Sequence, residues 1–366
     1  MKGLLPYYAI IIFLLYTIHL QSKTIKIPQD YEKIQMGIDS ASNGDTVLVY
    51  EGIYIEALTI EEKSIALLSL EGYGGTIIDG KSSDKVIECS RTNSIIDGFT
   101  IKNGTYGVYL DLSSDYYTTV RNNKIIDNSC GISVGWNGNR HKIISNLIQN
   151  NSPKGGIQIY DCSPEIKNNI IIHNTGERGG GIHCESAALP GYPVIINNTI
   201  ANNTATESGG GIYIGWDSHP IIKNNIIADN QGPGGIYAGP AGDPRLSYNN
   251  VWQNEVVNYS DCSSGLGDIS EDPLFISEND YHLKSNSLCI DAGDPSLEFN
   301  DSDGSKNDMG VYGGPYQIQE FIIDEPPEEP PIDLTPPYKP KSVKLAWMKE
   351  SAYPVYQTTA VDIVTD

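Results

Sequence analysis

At 366 residues the chain can hold two ordinary domains or one elongated one, and 46 acidic against 24 basic residues leave a formal net charge of −22. A field of that sign excludes nucleic acid and anionic membrane as partners and disfavours bare polyuronate, while neutral glycan, a protein surface or a metal-bridged anion remain open. Gly at 37 and Tyr at 23 fit turn-rich β structure better than a helical bundle.

The N-terminus carries Lys2, an apolar run from Leu4 to Leu20 and then the small Ser22. That order predicts a secretory signal over 1–22, with a retained anchor as the alternative, and no span after its removal. Export permits disulfides, and the six cysteines (Cys89, Cys130, Cys162, Cys184, Cys262, Cys289) allow one or two bridges. No CxxC pair or Cys/His cluster points to zinc. Residues 30–41 (DYEKIQMGIDSA) read as an amphipathic helix with Asp30 as N-cap and Tyr31, Ile34, Ile38 and Ala41 on one face, a lid for whatever follows. NGDTVLV (43–49) is turn then strand.

From about residue 97 the sequence repeats. NNKIIDN (122–128), SNLIQNN (145–151), NNIIIHN (168–174), NNTIANN (197–203), NNIIADN (224–230) and NNVWQNE (249–255) share N-N-x-I-x-x-N, with DGFTIKN (97–103) a degenerate earlier copy. GVYL (107–110), GISV (131–134), GIQI (156–159), GIHC (181–184), GIYI (211–214) and GIYA (235–238) keep the same beat of about 25 residues. Each period supplies about three short strands and no helix, which predicts one coil of a parallel β-helix; a propeller blade needs about 40 residues. Stacked coils turn like residues into columns. Ile125, Ile148, Ile171, Ile200, Ile227 and Trp252 are expected on one interior wall, and Val120, Ile143, Ile166, Ile195 and Ile222 on a second. Val108/Leu110, Ile132/Val134, Ile157/Ile159, Ile182/Cys184 and Ile212/Ile214 form a third, with Cys184 as a small core residue. The asparagines belong at corners, where they tolerate left-handed backbone and hydrogen-bond along the stack. Gly156, Gly181, Gly211 and Gly235 mark a corner that either admits no side chain or demands positive φ.

After 265 the repeat breaks into a closing segment (266–316), an acidic Pro-rich linker (317–340) and a strand-like tail (341–366) that resembles the start of another module. Residues 23–265 are assigned to the β-helix with its N-terminal cap. These features resemble the right-handed parallel β-helix proteins of the pectin-lyase-like superfamily, and most of all secreted bacterial proteins with such repeats. TIKIPQDYEKIQMGIDSASNGDTVLVYEGIYIE (24–56) is similar to that group's N-terminal cap, TIIDG (76–80) and IIDGFTIKNG (95–104) to its first coils, and NDMGVYGGP (307–315) to its closing segment. The resemblance implies the fold but no single activity, since lyases, hydrolases, epimerases, adhesins and copper-accessory proteins share it.

The Asn-Thr-Asp, Asp-Asp, Gly-His-Gly and Arg-Ile-Lys signatures of polygalacturonases, the Asp-Pro-His-Glu of uronan epimerases and the Trp-Ile-Asp-His of pectate lyases are all missing. A β-eliminating lyase needs only a basic side chain and a neutraliser of the uronate, so Lys167, Lys223, Arg178 and His183 stand as catalytic candidates, with Arg121 in the same column and Arg140, His141 and Lys142 clustered nearby. The outward column of the Gly-apolar-x-apolar strand runs Tyr109, Ser133, Gln158, His183, Tyr213, Tyr237, with Trp136, Tyr160, Asp161, Glu185, Trp216, Asp217 and His219 beyond it. Tyr109, Trp136, Tyr160, His183, Tyr213, Trp216 and Tyr237 are the candidate ligand-binding residues, because aromatic faces beside carboxylates and amides suit sugar rings. DSDGSKND (301–308) fails the EF-hand pattern, with Phe299 at the first position and Gly310 at the twelfth, so Ca²⁺ is a minor possibility beside a structural loop and no other cofactor is expected. The sequence reading is a secreted or cell-surface monomer that binds extracellular polysaccharide or glycoprotein, the alternatives being a polysaccharide lyase and a purely structural module.

Overall fold

The structure is a computed structural model; it describes residues 22–110, 116–135 and 141–315, without the side chain of residue 189. The chain divides into two units, Met1–Ile323 and Asp324–Asp366, and every described residue lies in the first. Trp136, Arg140, nearly all of the expected signal, the linker and the tail lie outside the described residues.

The repeat is a stack of parallel coils with three faces. Face one is a ten-stranded sheet from Thr24–Ile27 to Arg245–Ser247 in which every neighbour is the next coil. Faces two and three belong to a sixteen-stranded sheet, because the long strands Thr76–Ser90 and Thr100–Leu110 turn the corner between them. One coil reads Lys142–Ile144 on face one, Leu147–Gln149 on face two and Ile157–Tyr160 on face three. Register is set by apolar columns, since a one-residue slip would point every isoleucine outward. All three expected interior walls are fully buried, Cys184 included, with one exception. In the last copy Val251 pairs with Ile227, and Trp252 sits beside Ala228, half exposed. The sixth copy is therefore framed YNNVWQN from Tyr248, because Asn249, not Asn250, aligns with Asn225.

Two asparagine ladders run along the corners. Asn123, Asn146, Asn169, Asn198, Asn225 and Asn249 form one, Asn128, Asn151, Asn174, Asn203, Asn230 and Asn254 the other, and all are buried. Within each, one coil's side-chain oxygen accepts the backbone and side-chain N–H of the coil before; Asn174 Oδ1 takes Asn151 N at 3.0 Å and Asn151 Nδ2 at 2.9 Å. The left-handed residue is the one preceding each ladder asparagine: Asn122, Ser145, Asn168, Asn197, Asn224 and Tyr248 at the first corner. The corner glycines answer the open choice. Gly156, Gly181 and Gly211 are not at positive φ, but a Cβ on any of them would lie 2.7 Å from the next coil's carbonyl oxygen.

The helix spans Ile34–Ser40 and covers the first coil with Ile34 and Ile38 as expected. Its cap is not Asp30, whose carboxylate accepts the Lys26 N–H. Glu56 caps it instead, accepting Ile34 N at 2.9 Å and Gln35 N at 3.1 Å. The Gln35 amide pairs in both directions with Thr59, standing in for the missing neighbour strand of Leu58–Glu61. At the other end Asp268 terminates the first ladder, accepting Asn249 N at 2.8 Å, and holds the Tyr259 hydroxyl at 3.0 Å.

The closing segment does more than end the stack. Residues 275–314 run back over the outer side of face two and bury Leu147, Ile170, Ile172, Ala201, Ile226 and Ala228 against Tyr281, Cys289, Met309 and Val311. Asn168 Nδ2 donates to the carbonyls of Val311 and Gly313, and Asn197 Nδ2 to those of Asp308 and Gly310. The six cysteines are all unpaired thiols, so of the at most one or two bridges the sequence allows none is made; Cys89, Cys162 and Cys184 lie in the apolar core of the stack, and five of the six are buried.

Candidate functional site

Register confirms the face-three column: Tyr109, Ser133, Gln158, His183, Tyr213 and Tyr237 are successive Cα partners. It is less open than its outward direction suggests. Ser133, His183 and Tyr213 are buried, while Tyr109, Gln158 and Tyr237 are half-buried. Parallel coils bring the rings into contact. His183 lies 5.5 Å from the Tyr160 ring and 5.1 Å from Tyr213, and Tyr213 stacks on Tyr237 at 5.6 Å with 12° between planes. Upstream, Tyr106 and Tyr109 meet edge-on at 5.4 Å, with Lys154 over the first ring and Lys85 over the second.

The cover over the column comes from the segment between faces two and three. Thr175–Arg178 and Thr204–Ser208 pair as a two-stranded sheet, and glycine turns bring the chain back onto face three. At Gly179 and Gly209, both at positive φ, an added Cβ would strike the Ile182 and Ile212 carbonyls, just ahead of His183 and Tyr213 respectively. The Arg178 guanidinium lies 5.6 Å from the Tyr213 ring and pairs with Glu207 at 2.7 Å. His183 Nε2 is 2.9 Å from Glu185, and its Nδ1 is 3.2 Å from the Arg178 carbonyl oxygen. That hydrogen bond from His183, above all, holds the Glu185 carboxyl below its usual range, whereas burial pushes the Tyr160 phenol up to about 12 and raises that of Tyr213.

Two exposed rings lie at the rim where face three gives way to face one. Trp216 is 57 % exposed and stands on left-handed backbone at φ 44°. Tyr192 is 53 % exposed and stacks on His219 at 5.4 Å. Gly215 lies beneath the Tyr213 ring, where a Cβ would come within 2.6 Å of it, so the column supports the rim. Tyr192 was missed in the sequence because it precedes the strand Val194–Ile196 by two residues, outside both repeated motifs. Tyr117 and His219 hold the same offset before Thr119–Arg121 and Ile221–Lys223, and that spacing is the signal that finds them.

The basic candidates do not gather. Arg121, Lys167 and Lys223 do share a column on face one, but each meets a carboxylate: Asp97 at 2.7 Å, Glu165 at 3.0 Å and Asp294. They lie on a different face from His183 and Arg178. In the 301–308 loop the Asp303 carboxylate accepts the backbone N–H and hydroxyl of Ser305, and Asp301 accepts the N–H groups of Asp308 and Gly314, so these groups serve the loop itself.

A family model described as the right-handed β-helix region matches residues 138–312, and one described as periplasmic copper-binding protein (NosD) matches residues 38–203. No curated protein matches the sequence. Among solved structures, an alginate lyase from a Paenibacillus species is similar at 14% identity and a TM-score of 0.44, covering 68% of this chain and 98% of that one. Pectate lyase Pel9A is similar at 12% identity and a TM-score of 0.48, covering 80% of this chain and 96% of that one. These values are too low to carry chemistry across. The chain is a right-handed parallel β-helix.

Copper, which the second family's description names, requires thiolate, thioether or imidazole donors that converge. The described His, Cys, Asp and Glu side chains do not bring such a set together. Among the described residues no group of three or more His, Cys, Asp or Glu could hold a metal. Burial pushes the thiols of Cys89, Cys130 and Cys162 up to about 12, and both His183 nitrogens are already engaged.

Proposed function

We propose that the chain is an exported β-helix protein that binds extracellular polysaccharide or glycoprotein at the rim of face three, with Trp216 and Tyr192 as the contacting rings and the Tyr160–His183–Tyr213–Tyr237 column as their support. The observation that carries this reading is Trp216. It stands on left-handed backbone as the corner residues of this solenoid do, Tyr248 among them, and what sets it apart from that tyrosine is its exposure. More than half of its surface is left in water, where stacking on a sugar ring would cover it. Lys167 and Lys223 are each paired with a carboxylate, which counts against either as the base of the lyase reading. No helix among the described residues is long and apolar enough to cross a membrane.

A panel of neutral and acidic polysaccharides, scored by affinity electrophoresis and by ultraviolet absorbance of unsaturated uronate ends, tests the proposal. Binding to at least one glycan is expected, weakened about tenfold or more by Trp216→Ala, with no absorbance rise. Binding that survives unchanged in a Trp216→Ala/Tyr192→Ala double variant would remove the rim as the site, and an absorbance rise would replace binding by elimination chemistry.

A further inference from the structure

We propose that His183 is a proton-controlled latch that holds the segment 175–181 down over the Tyr213 ring; this deepens the glycan-face reading by stating when the column beneath the rim can be reached.

The argument begins with the hydrogen-bond chemistry of the imidazole. Nδ1 faces the Arg178 carbonyl oxygen at 3.2 Å, and a carbonyl can only accept. Nε2 faces Glu185 at 2.9 Å, and that carboxyl is held ionised, so it too accepts. Both contacts are made only when both ring nitrogens carry protons, as in the imidazolium. The Nε2–H···carboxylate bond is charge-assisted and the stronger of the two, so the proton that leaves first is the one on Nδ1. Its departure sets a nitrogen lone pair against the Arg178 carbonyl. The contact then changes from attraction to repulsion, and the load falls on the segment that carries that carbonyl, Thr175–Arg178, whose hold on the next coil is its pairing with Thr204–Ser208.

The surroundings fit a switch. Packed against the imidazole are the Tyr160 and Tyr213 rings. The charged groups around it are Glu185 and Arg178, with Glu207 paired to Arg178, Asp161 acting on the Glu185 carboxyl and Glu177 on the Tyr160 phenol. Arg178 contributes both the latched carbonyl and the guanidinium over Tyr213, so lifting its backbone takes the side chain off the ring. Sign follows directly: low pH holds the cover closed, and rising pH opens it.

Backbone amide exchange on the full chain without glycan, corrected for intrinsic rates, tests the latch. Gly179 and Gly180, which donate to the Ser208 and Gly209 carbonyls, are the reporters. Their protection is expected to fall about tenfold between about pH 5.5 and about pH 8, the loss of roughly one charged hydrogen bond. Hydroxyl-radical labelling of Tyr213 is expected to rise in parallel. His183→Gln, checked for an unchanged far-ultraviolet spectrum, is expected to abolish both pH dependences. Protection that does not change with pH in the native chain, or that changes equally in His183→Gln, overturns the proposal; if that variant does not fold, the native chain's exchange and labelling decide alone. Because no glycan is present, a failed latch and a failed glycan reading give separate results.

Discussion

Individual side chains do work here that no neighbour in sequence could do for them. The helix Ile34–Ser40 has no side-chain cap at Lys33 and no acidic residue in its first turn. Glu56 supplies the missing acceptor from the first coil, so one carboxylate both caps the helix and fixes it to the solenoid. Glu56→Ala is expected to lower stability by about 1 kcal/mol in urea titration, with faster exchange at Ile34 and Gln35; unchanged stability would show the amides satisfied by water. His141 is a second case. It is buried, its Nδ1 accepts the Thr118 N–H at 3.0 Å, and its Nε2 finds no partner among the described residues. Burial lowers its pKa from 6.5 to about 4. The unfolded chain therefore takes up a proton that the folded chain refuses, and stability present above about pH 6.5 falls as pH drops towards about 4. Against His141→Asn, whose side-chain oxygen can still accept the Thr118 N–H, the native protein is expected to lose stability selectively across that window. Equal pH dependence in the two would assign the loss to other groups.

At the scale of a strand and its corners, the asparagine ladders and glycine columns carry the repeat. A ladder amide in mid-stack is closed on every side: Asn174 Nδ2 reaches Ile148 O at 2.9 Å and Asn203 Oδ1 at 3.0 Å, while its own oxygen serves Asn151. Asn174→Ala strands buried partners on two coils, and a loss of about 2–4 kcal/mol is expected. Gly181→Ala is expected to be similarly harmful, since its Cβ would meet Gly211 O at 2.7 Å, whereas Gly74→Ala, with open space around it, is expected to be near neutral. Thermal unfolding of the three variants checks the order, and equal effects at Gly181 and Gly74 would mean the coils can spread. This layer was legible in the sequence because each coil repeats the same physical problem. Ile125, Ile148 and Ile171 must face inward in every turn, so the pattern announces itself. The site was only half legible. Periodicity placed Tyr213 and His183 in one column, but the Arg178 carbonyl and guanidinium that lie against them come from the strand 175–178, outside the repeated motifs. Trp252 was misplaced for a related reason: Tyr248 replaces the first asparagine of the pair, and reading the motif by letter shifted the frame by one.

At the scale of the described unit, the closing segment explains what the repeat alone leaves open. Ile170-Ile171-Ile172 and Ile226-Ile227-Ala228 show no alternation, and a strand apolar on both sides must be covered on both. Ile171 and Ile227 face the core, while the flanking residues face residues 275–314. The apolar side chains Tyr281, Cys289, Met309 and Val311 follow no repeat that would mark the segment's path, and its polar contacts are largely backbone carbonyls meeting Asn168 and Asn197, two residues whose first duty is to hold a left-handed corner. Those two roles can be separated. Asn197→Gly keeps the left-handed backbone at no steric cost but deletes the side-chain bonds to Asn307, Asp308 and Gly310. The ladder is untouched, since Asn198 rather than Asn197 belongs to it. Partial release of the segment is expected, by about 2 kcal/mol at roughly 1 kcal/mol for each of the better hydrogen bonds lost. The exposed side of face two would then bind a hydrophobic dye and cleavage between 291 and 314 would quicken, while the coil spectrum stays as it was. If dye binding and cleavage match the native protein, apolar contact at Met309 and Val311 suffices to seat the segment and the asparagine clamps are dispensable.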